Sequence, residues 1–196
     1  MVRKTMVTLY PGFYLMLACA FMLIPFRWFC AWVIAVAVHE LSHIMALKSM
    51  RIQIHNISAH WNGVWIHTEP LSGWNAIVSA LAGPAGSLLL LIVLPILPRT
   101  AVCAGFQAVY NLLPIYPLDG GRVLYGVLKQ CLGEKLADRI CRYVKCVFTV
   151  LAVAICCIVC LNGIGLTLTI IAVLFIHIKS KKSLAIDVRN EYNSFN

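Results

Sequence analysis

Two histidines and a glutamate stand inside an otherwise apolar run, "AVAVHELSHIMAL" at residues 35–47. Burying an ionisable side chain in hydrocarbon is expensive, about 2.5–3.5 kcal/mol for a carboxylate on insertion scales. His39, Glu40 and His43 therefore need a compensating partner. Histidines four residues apart on a helix project from one face, so a single metal ion can take both imidazoles. Zinc suits them, with Zn–N bonds of roughly 2.0–2.1 Å. Glu40 follows His39 directly and lies about 100° around the helix from it. It can stay out of the ligand set and act as a general base on a water whose pKa zinc lowers toward roughly 7.

A catalytic zinc takes a third protein ligand and keeps one position open. The chain has seven acidic residues, and apart from Glu40 only Asp119 falls at the end of an apolar segment, in "NLLPIYPLDGGRVL" at 111–124. Two readings of Asp119 stand side by side: third metal ligand, or N-cap of a helix starting near Gly120. Pro114 and Pro117 break the helical ladder before it, and Gly120 and Gly121 permit a tight turn. A broken segment at membrane depth must line protein or water, which hydrolysis requires. Asn111 either holds or polarises a scissile carbonyl or makes a helix-packing hydrogen bond.

The elements that must carry these residues are membrane spans. Hydrophobic residues make up 61% of the 196, against the usual 45–50%, and they come in long blocks. The expected fold is all-α and polytopic, with about six transmembrane helices at 9–25, 29–47, 75–97, 101–117, 146–161 and 164–178. With both termini in the cytosol, 14 of the 16 Lys and Arg residues fall on the cytosolic side, all but Arg27 and Arg99. That bias fixes an N-in, C-in orientation. It also explains the net charge of +9 by anionic lipid rather than nucleic acid. On this topology His39, His43 and Asp119 reach a similar depth near the cytosolic face, which favours the ligand reading of Asp119. One membrane domain is expected over 1–178, with a basic cytosolic loop at about 120–145 and a short polar tail at 179–196.

Between the second and third spans, residues 51–69 alternate Ile52, Ile54, Val64 and Ile66 with polar residues around Asn62-Gly63. This predicts a membrane-associated β-hairpin. Its open edge either accepts an extended peptide as an added strand or belongs to a plain connector. His55, His60 and His67 on the hairpin read as interfacial histidines. Ser79, Gly83 and Ser87 in "SALAGPAGSLL" form a small-residue face, assigned to helix packing. "EKLADRICRYVKCV" within the basic loop is a candidate amphipathic helix. The nine cysteines are expected to be reduced thiols, and the N-terminal apolar run to be retained as a span.

"HELSH" followed by "NLLPIYPLDGG", with "AGP" between them, resembles the site-2 protease family of intramembrane zinc metalloproteases (peptidase family M50) over roughly residues 30–125. The resemblance implies that His39, His43 and Asp119 ligate Zn2+, that Glu40 activates water, and that Asn111 helps to hold substrate. Within the family the chain looks most like the compact sporulation branch typified by stage IV sporulation protein FB. That branch has six spans and cleaves a sigma-factor precursor at the cytosolic face of a bacterial membrane. The chain departs from it in having too short a tail for the branch's CBS domain, and it has no room for a PDZ domain. The function expected is intramembrane endoproteolysis of a membrane-associated protein substrate, with inhibitory membrane proteins as further partners. The rival classes are a non-catalytic scaffold retaining a metal site and a metal transporter. A transporter would need more polar groups in the outer halves of the spans than the sequence supplies.

Overall fold

The computed structural model describes residues 6–61, 63–71 and 73–161. The expected sixth span (164–178), the polar tail and Asn62 of the hairpin turn lie outside the described residues. In chain order the elements are β1 (Met6–Leu9), α1 (Pro11–Leu23), α2 (Phe26–Ser49), β2 (Ile54–His60), β3 (Gly63–Thr68), α3 (Trp74–Leu89), α4 (Pro98–Asn111), α5 (Asp119–Leu132) and α6 (Glu134–Leu161). A single 3-10 turn, Leu90–Val93, extends α3.

Among the described residues, two segments are long and apolar enough to cross a membrane: Phe26–Ser49 and Trp74–Val93. The six expected spans are therefore not all found as such. α1 has 13 residues, about 20 Å at 1.5 Å per residue, which is short of the hydrocarbon thickness of about 30 Å. α4 stops at Asn111 rather than 117, because the two prolines that follow cannot continue its ladder. The basic region expected between spans, about 120–145, is almost wholly helical. It comprises α5 and the first turns of the 28-residue α6, into which the expected fifth span is absorbed. The amphipathic segment beginning at Glu134 does form a helix. Large apolar side chains at Leu23, Ile92, Phe106 and Val109 are exposed, a surface that suits lipid.

The expected hairpin forms within this mostly helical fold and gains a third strand. β2 and β3 pair antiparallel, as the hairpin pattern required, with Ile57 opposite Ile66. Gly63 opens β3 at φ 127°, a conformation that other residues rarely adopt. β1 then adds parallel to β2, with Val7 opposite Ile57, giving the order β1-β2-β3. A four-residue strand carries too little periodicity to stand out beside the apolar run that follows it. Tyr10 continues the attachment, donating its N–H to the carbonyl of Ala59 at 3.0 Å and stacking on the His60 ring at 4.1 Å. The β2 edge is thus covered, and β3 is the side of the hairpin left open to a further strand.

The core lies between α2, α3 and α4. α2 buries Ala31, Ala35, His39, His43 and Leu47, a stripe with one residue per turn. α3 meets it with Ser79, Ala80, Gly83, Gly86 and Ser87, and α4 adds Ala101, Ala104 and Ala108. Small residues let the backbones approach where no hydrophobic effect drives the helices together. At Gly86 the approach is closest, since a β-carbon there would overlap the Ser42 hydroxyl. Gly86→Val is therefore expected to destabilise the protein by about 1–3 kcal/mol, while Gly105→Ala, whose nearest neighbour would be a Leu91 methyl at 3.4 Å, is tolerated. Unfolding midpoints in detergent check both.

Candidate metal centre

α2 presents His39 and His43 on its buried face, one turn apart. Their rings meet edge to face with centroids 4.9 Å apart. α3 runs antiparallel beside them and supplies a partner for each outer ring nitrogen. His43 Nδ1 lies 2.7 Å from the backbone carbonyl of Ser79. A carbonyl only accepts, so Nδ1 carries the proton and the Nε2 lone pair is free to bind a cation. His39 Nδ1 lies 2.8 Å from Ser87 Oγ, a hydroxyl that can accept in the same way. Such outer partners fix the tautomer and ring direction of metal-binding histidines. Between the two rings sits Gly83, where a β-carbon would overlap the Nε2 atoms of both.

The third group arrives from a distant part of the chain. After α4 ends, residues 112–118 fold back through short turns, with Ile115 N–H bonded to Leu113 O at 2.7 Å and Leu118 N–H to Ile115 O at 2.8 Å. The start of α5 packs beneath this loop. β-carbons at Gly120 and Gly121 would collide with the backbone of Leu112–Leu113 and of Ile115–Tyr116. Asp119 opens α5, and Leu118 occupies the capping position without a side-chain bond. The capping reading of Asp119 therefore fails. Its carboxylate turns back toward α2, with Oδ2 at 3.1 Å from His39 Nε2 and 3.3 Å from His43 Nε2.

The two Nε2 atoms are themselves 3.3 Å apart, so three donor atoms form a nearly equilateral triangle. A tetrahedral ion with bonds of 2.0–2.1 Å holds its ligands about 3.3 Å apart, and the triangle matches that spacing. The three residues are 3, 6 and 7% exposed. With both Nδ1 atoms protonated, two ring lone pairs and a carboxylate oxygen face one another. A metal ion at the centre relieves that arrangement, as would a proton shared between an Nε2 and the carboxylate. Among the described residues no other group of three His, Cys, Asp or Glu side chains is placed to hold a metal. The donor set of two imidazoles and one carboxylate fits Zn2+.

A cavity of about 510 Å³ opens on the triangle. Glu40 and Asn111 line it, as do β3, the segment Tyr116–Asp119 and Arg122. Glu40 is half-buried in its wall. Asn111 also lies there, its Nδ2 donating to the Gln107 carbonyl at 3.1 Å. All five residues expected from the sequence thus converge. The hairpin histidines do not join them at the triangle: His60 stacks on Tyr10, and His67 Nε2 meets Ser58 Oγ at 3.0 Å. Cys19, Cys30, Cys103, Cys131, Cys141 and Cys146 are free thiols. The side chains of Cys156, Cys157 and Cys160 lie outside the described residues. Ser79, Gly83 and Ser87, expected as a packing face, also serve the histidines, and their four-residue spacing repeats that of His39 and His43.

Comparison with known proteins agrees with this geometry. Residues 68–155 match the family model for peptidase family M50, a range that contains Asn111 and Asp119 but not the paired histidines. A protein of Synechocystis sp. (strain ATCC 27184 / PCC 6803 / Kazusa), described as "Putative zinc metalloprotease sll0528", is 31% identical over 117 residues. The alignment covers 52% of this chain and 31% of that protein, so the chain matches about a third of its relative's length. The solved site-2 protease from Methanocaldococcus jannaschii shares the fold, with a TM-score of 0.66 and 91% of each chain covered at 21% identity. The matched model is that of peptidase family M50, the relative is described as a zinc metalloprotease, and the solved structure, a site-2 protease, shares this chain's fold.

The α3 contacts lead to a prediction. Ser87→Ala removes the partner of His39 Nδ1 without altering the triangle, and zinc affinity should fall by about 10–100-fold. Chelator competition on purified protein measures it. Unchanged affinity would show that the hydroxyl does not orient the ring.

Proposed function

We propose that the chain is an intramembrane zinc endopeptidase that cleaves membrane-associated proteins near the cytosolic face. The observation that carries this reading is the triangle of Nε2, Nε2 and Oδ2 at 3.1–3.3 Å, buried at the floor of a cleft that an extended peptide can enter. His39, His43 and Asp119 would hold the ion, which when bound supplies Lewis acidity to a water and to the scissile carbonyl.

The remaining work falls to this chain's own residues. Glu40, in the cleft wall, takes a proton from the attacking water and returns it to the departing amine nitrogen, so that one carboxylate serves both halves of the reaction. Asn111, a side-chain amide lining the same cleft, supplies an N–H donor to the peptide carbonyl. The open edge of β3 runs along the cleft and offers main-chain hydrogen bonds to a substrate held as an added strand. An extended substrate is needed, because a helix hides its amides behind its own hydrogen bonds. The cytosolic placement rests on the distribution of Lys and Arg. The resemblance to the sporulation branch favours a regulatory substrate such as a sigma-factor precursor, and inhibitory membrane proteins as partners.

Glu40→Gln separates this function from that of a metal-retaining scaffold. The variant should keep one zinc per chain, by metal analysis of detergent-purified protein. Cleavage of a co-expressed panel of tagged single-span proteins should fall by about 10²–10⁴-fold. Cleavage at the unaltered rate would remove Glu40 from the chemistry.

A further inference from the structure

The Asp119 carboxylate divides its two oxygens between different partners. Oδ2 takes both imidazole contacts, while Oδ1 faces Nη1 of Arg122 at 3.6 Å. Arg122 lies three residues on, one turn further along α5, with its own N–H bonded to the Leu118 carbonyl at 3.0 Å. An acid followed by a base at this spacing forms a favourable pair on a helix surface. The backbone beneath cannot shift to undo it, because Gly120 and Gly121 are wedged under the 112–117 loop. Arg122 itself is half-buried and lines the cleft. Among the described residues, Asp119 is the acid it pairs with.

We infer that Arg122 is a positioning residue for the metal centre: its guanidinium engages Oδ1 and so presents Oδ2 alone to the triangle. The inference rests on the metal reading above and adds a residue to it. A carboxylate can grip an ion with one oxygen or with both, and both would occupy a position that hydrolysis needs for water. Arg122 holds the second oxygen toward the cleft mouth instead. It also balances charge, since Asp119 and Glu40 are two carboxylates bordering one low-dielectric pocket, where like charges repel far more strongly than in water. At 3.6 Å the contact is an ion pair rather than a short hydrogen bond. A lysine should therefore replace it in part, whereas a neutral amide should not.

The test uses the full chain purified in detergent, stripped of metal and titrated with zinc against a chromophoric chelator. Arg122→Gln should weaken zinc binding by about 10–100-fold, and Arg122→Lys should recover most of the loss. Arg139→Gln, an exposed cation on α6, should match the wild type. Loaded with cobalt instead, Arg122→Gln should lose visible absorption intensity, because a second Asp119 oxygen raises the coordination number above four. The unfolding midpoint of the metal-free variant should stay at the wild-type value. Zinc bound equally tightly by Arg122→Gln and wild type, with the same cobalt spectrum, would overturn the positioning role and leave the metal centre standing. A loss of affinity matched by lost stability of the metal-free protein, and not rescued by lysine, would overturn it as well. Absence of zinc from the wild type itself would sink the metal reading and this inference with it.

Discussion

Three electron-pair donors are forced together on the largely buried floor of a cleft. Two imidazole nitrogens and a carboxylate oxygen approach to 3.1–3.3 Å, each with its lone pair turned inward. In solution such groups would drift apart or be hydrated. Here the helices that carry them are locked by packing, so relief comes from within the triangle, by a bound cation or by a proton shared with the carboxylate. Much of the fold can be understood as what is needed to hold that unfavourable arrangement until the ion supplies its compensation.

The helix that donates no ligand does much of this holding. α3 brings the Ser79 carbonyl and the Ser87 hydroxyl to the outer nitrogens of the two histidines. It brings Gly83 between the rings, where any side chain would fill the space the Nε2 atoms occupy. The carboxylate is delivered differently, by the interruption after α4. Had that helix continued through residue 117, Asp119 would lie further along its axis. Instead the chain folds back, α5 begins under the loop, and its first residue points at α2. The same interruption opens the cleft along β3, so that access for water and substrate follows from the break that places the ligand.

The chemistry was more legible in the sequence than the architecture. "HELSH" announced paired ligands because its polar groups had no other justification in an apolar run. The distribution of lysine and arginine put Asp119 and the two histidines at one expected level before any contact was known. The hairpin followed from alternation around Asn62-Gly63. What escaped had physical reasons. β1 is four residues long and precedes an apolar run that masks it. A helix starting near Gly120 was one of the readings, but its extent as α5 depends on packing against the 112–117 loop, which hydropathy does not show. The role of Ser79, Gly83 and Ser87 depends on which turn of α3 faces which turn of α2. That register is fixed only when the two helices are packed, and no single-helix pattern reveals it.

The central claim concerns the atoms around one ion, and X-ray absorption at the zinc edge of the purified, zinc-loaded chain examines those atoms directly. The account predicts a first shell of nitrogen and oxygen alone at roughly 2.0–2.1 Å, with the outer scattering of two imidazole rings. The chain also holds nine cysteines, so a competing site would betray itself through sulfur at roughly 2.3 Å. A sulfur-containing shell, or a spectrum lacking the imidazole pair, would contradict the assignment of the metal to His39, His43 and Asp119.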